Sequence, residues 1–130
     1  MTTVLACLLV AVLMPYVLSG IGGYHKTKQL GQLDNNNPRA QAAQLKGAGA
    51  RAVAAQQNAW EALAVFTASL AAAFFAGVPA GSLALPAVIF VAARIAHAVC
   101  YLADLASARS LSFFAATAMC IWIFVKALAA

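Results

Sequence analysis

Four apolar runs govern what this chain can fold into: residues 2–21, 52–76, 83–103 and 111–129. Each approaches or exceeds the roughly 20 residues that a helix needs to cross the hydrocarbon core of a bilayer. The chain is 65% hydrophobic and 8% charged over its 130 residues. Soluble domains are about 25% charged, so a soluble fold is excluded. The expectation is an all-α integral membrane four-helix bundle forming a single domain of residues 1–130, with helices at about 2–21, 38–76 (membrane part 52–76), 83–103 and 111–129. Ala, Gly and Ser are spread over all four runs. Such small residues let backbones approach closely and favour a tightly packed bundle and oligomer, with lipid around it.

The first run is followed by Ser19, Gly20, Gly22 and Gly23, as a cleaved signal would be, but Met1-Thr2-Thr3 has no basic segment. The run also exceeds the ~7–15 apolar residues of a signal core, so a retained helix is expected, kinked or locally opened at Pro15. Cys7, Cys100 and Cys120 are odd in number and scattered through apolar runs without metal-ligand spacing. They read as small buried hydrophobes, and no metal is expected.

The net charge of +5 is unevenly placed. Lys26, Lys28, Arg39, Lys46 and Arg51 crowd the first connection, Arg109 ends the third, and the second carries no charge. This distribution speaks for topology rather than nucleic-acid binding. The positive-inside rule puts the first and third connections in the cytoplasm and both termini outside, with Lys126 snorkelling at the far end. Asn37 followed by Pro38 has the form of an N-cap and first helical residue, so the second helix is expected to start outside the lipid and to project or bend at Gly47 and Gly49. Residues 77–81 are expected to form a tight turn, with Pro86 in the first turn of the helix that follows.

Two polar constellations interrupt the apolar runs: Arg51, Asn58 and Glu61, then Arg94, His97 and Tyr101. At about 100° per residue the first set spans about 80° of helical arc and the second about 60°, so each lines one face. Taking Arg51 and Asp104 as the matching edges of two antiparallel helices, Asn58 and His97 lie roughly 10 Å deep, Glu61 and Arg94 roughly 15 Å. The level match predicts an ion pair between Glu61 and Arg94, because an unpaired charge at that depth costs several kcal/mol. Such a cluster marks a functional site, or serves only as polar glue between helices.

At these residues the chain resembles the MAPEG family, the membrane-associated proteins in eicosanoid and glutathione metabolism. Arg51, Ala55, Asn58 and Glu61 fit the family's Arg-x3-Ala-x2-Asn-x2-Glu signature, and residues 93–102 with Arg109-Ser110 are similar to its prostaglandin-synthase branch. The likeness runs from about Asp34 to Phe114. It implies a homotrimer, of the bacterial inner-membrane type, binding glutathione in a cleft between subunits and acting on lipophilic small molecules as a transferase, peroxidase or isomerase. The resemblance implies that Arg51, Arg94 and Arg39 neutralise the two glutathione carboxylates, Glu61 accepts its amino group, and Asn58, His97 and Tyr101 supply neutral hydrogen bonds. The catalytic role, stabilising the thiolate, falls to Arg109 with Ser110 beside it.

The sequence departs from the pattern in places. Ala50 stands where Glu usually precedes the Arg, Ala62 and Ala64 replace the aromatic or polar residue and the Pro that often follow the Glu, and Tyr101 to Arg109 is one residue short. Phe113 takes the approximate place of a site tyrosine, and Ala54 that of a catalytic Arg in the leukotriene branch. Two other readings follow: a non-catalytic scaffold of the same fold, and a small multidrug exporter, which would need a titratable Glu61 rather than one held ionised by Arg94.

Overall fold

The computed structural model describes residues 1–130 and contains helices without strands. These are α1 (Thr2–Leu30), α2 (Pro38–Ala42), α3 (Ala48–Phe75), α4 (Ala80–Leu102) and α5 (Ala106–Leu128). All but α2 are long and apolar enough to cross a membrane. α3 and α4 are central, since each packs on the other and on both α1 and α5, which stand at opposite corners of the bundle.

The core shows why these helices come close. Phe66 of α3 and Phe90 of α4 stack with centroids 4.0 Å apart and planes 11° from parallel. Around and above them, Ala52, Ala55, Ala59, Ala73, Ala87 and Ala116 are buried, and so small a side chain lets neighbouring backbones approach. Pro15 is buried inside α1, and the helix runs through it.

Several helix ends differ from the sequence expectation. α1 continues to Leu30, well past residue 21. Gly22 is buried against α3, so packing outweighs the weak helix propensity of Gly20, Gly22 and Gly23. The helix stops at Gly31, which adopts the left-handed conformation at φ +86° and donates its N–H to the Thr27 carbonyl. The expected helix from residue 38 is broken: α2 lasts five residues, and the chain re-enters α3 after Gly47 at φ +54°. Asn37 does precede Pro38 at the helix start, but its side chain makes no capping bond. Asp34 is the organiser instead, its Oδ1 accepting the N–H groups of Asn36 and Asn37 at 2.9 Å each. α4 begins at Ala80, which puts Pro86 inside the helix rather than in its first turn and leaves the Ser82 carbonyl without its helical donor.

The first connection folds back onto the end of α1. Gln29 brackets the Lys46 backbone, its Oε1 accepting the N–H and its Nε2 donating to the carbonyl, both at 3.1 Å. Lys26 Nζ donates to the Pro38 carbonyl at 2.9 Å. Buried Gln41 accepts from the Asp34 N–H and donates to the Gln32 carbonyl. Gly49 permits this closure, because a Cβ there would lie 2.9 Å from Gln29 Nε2 and 3.0 Å from His25 Cβ.

Candidate functional site

Arg94 is the deepest charge in the bundle, 3% exposed on α4. Its Nη2 donates to Asn58 Oδ1 at 2.7 Å and to the Asn58 carbonyl at 3.2 Å across the α3–α4 contact. Asn58 Nδ2 in turn donates to Glu61 Oε2 at 3.3 Å. The expected Glu61–Arg94 ion pair is therefore absent, and Asn58 stands between the two charges. The physical reason is azimuth. Depth matching places Glu61 and Arg94 level, but Arg94 turns into the α3–α4 contact while Glu61 points outward and is exposed.

These residues open on a cleft of about 260 Å³, walled by Asn58, Glu61, Arg94, Phe113, Thr117 and Cys120 among others. The N–H donors of Arg94 beyond Nη2 have no protein acceptor, and Arg94 is one of the residues lining the cleft. That arrangement suits an anion, for which a guanidinium offers a planar set of donors. Asn58 fixes the plane of the guanidinium, and Glu61 at the rim offers an acceptor to a cationic group.

The second constellation splits. His97 is buried on α4; its Nδ1 donates to the Arg109 carbonyl at 3.0 Å, and its Nε2 has no partner. Tyr101 meets the His97 ring edge-on, centroids 5.5 Å apart, and carries the Arg109 guanidinium over its own ring at 4.5 Å. His97, Tyr101 and Arg109 thus form one stack along the α4–α5 seam. Phe113 joins His97 to the cleft wall at 6.2 Å between centroids. Ser110 is exposed beside Arg109.

Arg51 and Arg39 stand apart from this cleft. Arg51 Nη1 is 3.2 Å from Asp104 Oδ2, the one ion pair in the chain, and its Nε reaches the Leu102 carbonyl at 3.4 Å. Arg39 lines a separate groove of about 1130 Å³ between α1, the first connection and α3, together with Lys26, Gln56, Gln57 and Trp60. On α3 the groove residues and the cleft residues lie roughly 140° apart at about 100° per residue, so the two openings face different ways. Within the chain, Arg39 and Arg94 do not meet.

Reasoning from the sequence missed Asp104, used there only as a depth mark, and the cleft-lining Thr117 and Cys120. Thr117 and Cys120 follow Phe113 at four and seven residues, the spacing of one helical face, which was a usable signal. Asp104 gave none, because its significance lies in a backbone conformation.

A four-helix membrane chain with an arginine buried at an interhelical cleft, an Asn-x2-Glu beside it and an arginine at the start of the last helix defines a class of small polytopic membrane proteins. The profile of the MAPEG family matches residues 3–129, and the chain belongs to that family. No curated protein and no solved structure matches it.

Proposed function

We propose that the protein binds glutathione and uses its thiol on lipophilic small molecules, as a transferase, peroxidase or isomerase, and that the working unit is a homotrimer with the ligand between subunits. The observation that carries this reading is Arg94, a guanidinium held by Asn58, with donors that have no protein acceptor, in a residue lining a cleft. Glutathione brings two carboxylates for such a group, an amino group for Glu61, and further polar atoms for Asn58. His97 Nε2, buried and unpartnered, is a further polar atom available to a ligand.

Two features favour a site between subunits. The cleft of about 260 Å³ is smaller than the ~300–1,000 Å³ usual for ligand pockets. The basic groove with Arg39 and Lys26 opens on another side of α3. A neighbour presenting that groove to the cleft would enlarge the site and add the second carboxylate partner. Arg109, held over Tyr101, is assigned to the thiolate, with Ser110 next to it. Conjugation then forms a bond from glutathione sulfur to the electrophilic carbon, releases the leaving group with its electron pair, and passes the thiol proton to solvent.

The basic residues of the first connection and Arg109 support a cytoplasmic location for that end of the bundle, with the termini outside, and the membrane in this reading is a bacterial inner membrane. The cytosolic supply of glutathione matches that orientation. The test is a conjugation assay with a generic aromatic halide, run alongside the thiolate ultraviolet absorbance of the complex. Both signals are expected. Glutathione binding without thiolate signal or turnover would favour the non-catalytic scaffold, a reading supported by Ala50, Ala62 and Ala64 at positions where the family pattern has other residues.

A further inference from the structure

Three helices leave through a left-handed residue: α1 through Gly31 at φ +86°, α3 through Gly77 at φ +75° and α4 through Asp104 at φ +63°. The last two exits are the same motif. Val78 N–H donates to the Ala73 carbonyl at 3.0 Å, and Leu105 N–H to the Cys100 carbonyl at 2.9 Å, each bond closing over the left-handed residue. Glycine is the usual occupant because it has no Cβ to strain. Asp104 is the one non-glycine residue of the chain at positive φ.

What the position gains is a carboxylate. Asp104 Oδ2 takes Arg51 Nη1 at 3.2 Å while Arg51 Nε reaches the Leu102 carbonyl at 3.4 Å, so one guanidinium from the start of α3 holds both the end of α4 and the turn after it. The link is short, with α5 beginning at Ala106. The Arg109 N–H donates to the Leu105 carbonyl at 2.9 Å, its own carbonyl takes His97 Nδ1 at 3.0 Å, and its guanidinium lies over Tyr101. The α4–α5 turn is therefore held at Leu102 and Asp104 by Arg51, and the first turn of α5 is held at the Arg109 carbonyl by His97, so that Arg109 stands about one helical turn beyond the Arg51 contact.

We propose that Arg51 and Asp104 are positioning residues that clamp the α4–α5 turn and so set the place of the Arg109 guanidinium, and that Arg51 is not a ligand of glutathione. The functional half of this statement rests on the glutathione reading above; the clamp itself does not. A ligand role and a clamp role give opposite signs when the carboxylate is neutralised. Asp104→Asn suits the test, because Asn tolerates the left-handed region and only the charge is lost.

Under the clamp, Asp104→Asn leaves the glutathione dissociation constant within about twofold and lowers kcat for the aromatic halide by about threefold to tenfold at unchanged KM, because Arg109 is less well placed. Amide exchange across residues 105–110 speeds up by about tenfold. Asp104→Gly, which eases the backbone but removes the carboxylate, behaves alike. Arg51→Lys, which keeps the charge facing Asp104 but loses the second donor, falls between the parent and Arg51→Ala. If Arg51 binds glutathione directly, Asp104→Asn frees it, so that binding tightens and exchange stays as in the parent. That result overturns the proposal. If the parent binds no glutathione, the functional reading above fails while exchange at residues 105–110 still decides the clamp: unchanged exchange in both Asp104→Asn and Arg51→Ala refutes it.

Discussion

Replacing Asn58 by Ala tests whether Asn58, rather than Glu61, holds the buried charge. Arg94 is 3% exposed and has two acceptors, both on Asn58: the side-chain oxygen at 2.7 Å and the backbone oxygen at 3.2 Å. The substitution removes the shorter bond and spares the other. A hydrogen bond to a charged group contributes about 1.5–3 kcal/mol, and stripping a buried charge of every partner costs about 3–5 kcal/mol. With one acceptor surviving, the loss should be about 2 kcal/mol, near the lower of these ranges. Glu61→Ala removes an exposed carboxylate whose one bond is to Asn58 Nδ2 at 3.3 Å. It should cost under about 0.5 kcal/mol, as substitutions at exposed positions do. Reversible unfolding in mixed micelles at rising detergent fraction reads the two values side by side. Asn58→Ala combined with Arg94→Leu should recover part of the loss, since no buried charge then remains. Glu61→Ala as costly as Asn58→Ala would refute the argument and restore a direct Glu61–Arg94 interaction.

Three further outcomes are expected. With the native cysteines replaced, Gln32→Cys should react with a membrane-impermeant reagent only after the cytoplasmic face is opened, whereas a cysteine appended after Ala130 should react in intact cells; the reverse pattern would invert the topology. Arg109→Ala should leave glutathione affinity within about threefold while thiolate absorbance at neutral pH and turnover fall together; retention of both would move the thiolate stabiliser elsewhere, with Ser110 next. The Asp34 carboxyl is held below the usual aspartate value, first by the Asn37 N–H and then by the Asn37 side chain, the Asn36 N–H and Lys26. Because its folded pKa is depressed, the order it brings to the first connection is present above the ordinary value near 3.8 and is lost as pH falls through the lower folded one. The Asn36 and Asn37 amide resonances should titrate with a midpoint below 3.8, and a midpoint at or above that value would contradict the contact.

The spans were legible because run length and apolarity are set by the bilayer, whatever the tertiary detail. Helix ends were not, since Gly22 packs against α3 and keeps α1 helical where local propensity would stop it. The level match of Asn58, Glu61, Arg94 and His97 came from rise per residue alone, and the structure does join Arg94 to Asn58. Which polar neighbour Arg94 chooses depends on rotation about the helix axis, and periodicity of one helix says nothing of its angle to the next. Arg51 illustrates the limit most clearly. Its spacing from Asn58 puts it on the same face of α3, yet its partner is Asp104, brought there by a left-handed turn that no pattern of residue types announces.

The central claim is that the cleft between Asn58, Glu61 and Arg94 takes glutathione. Calorimetric titration of the purified protein in detergent with glutathione tests it most directly. The account predicts saturable heat in the parent, weakened at least about tenfold by Asn58→Ala, which unlocks Arg94, and retained in Arg109→Ala. No heat in the parent, or equal affinity in the parent and Asn58→Ala, would contradict it.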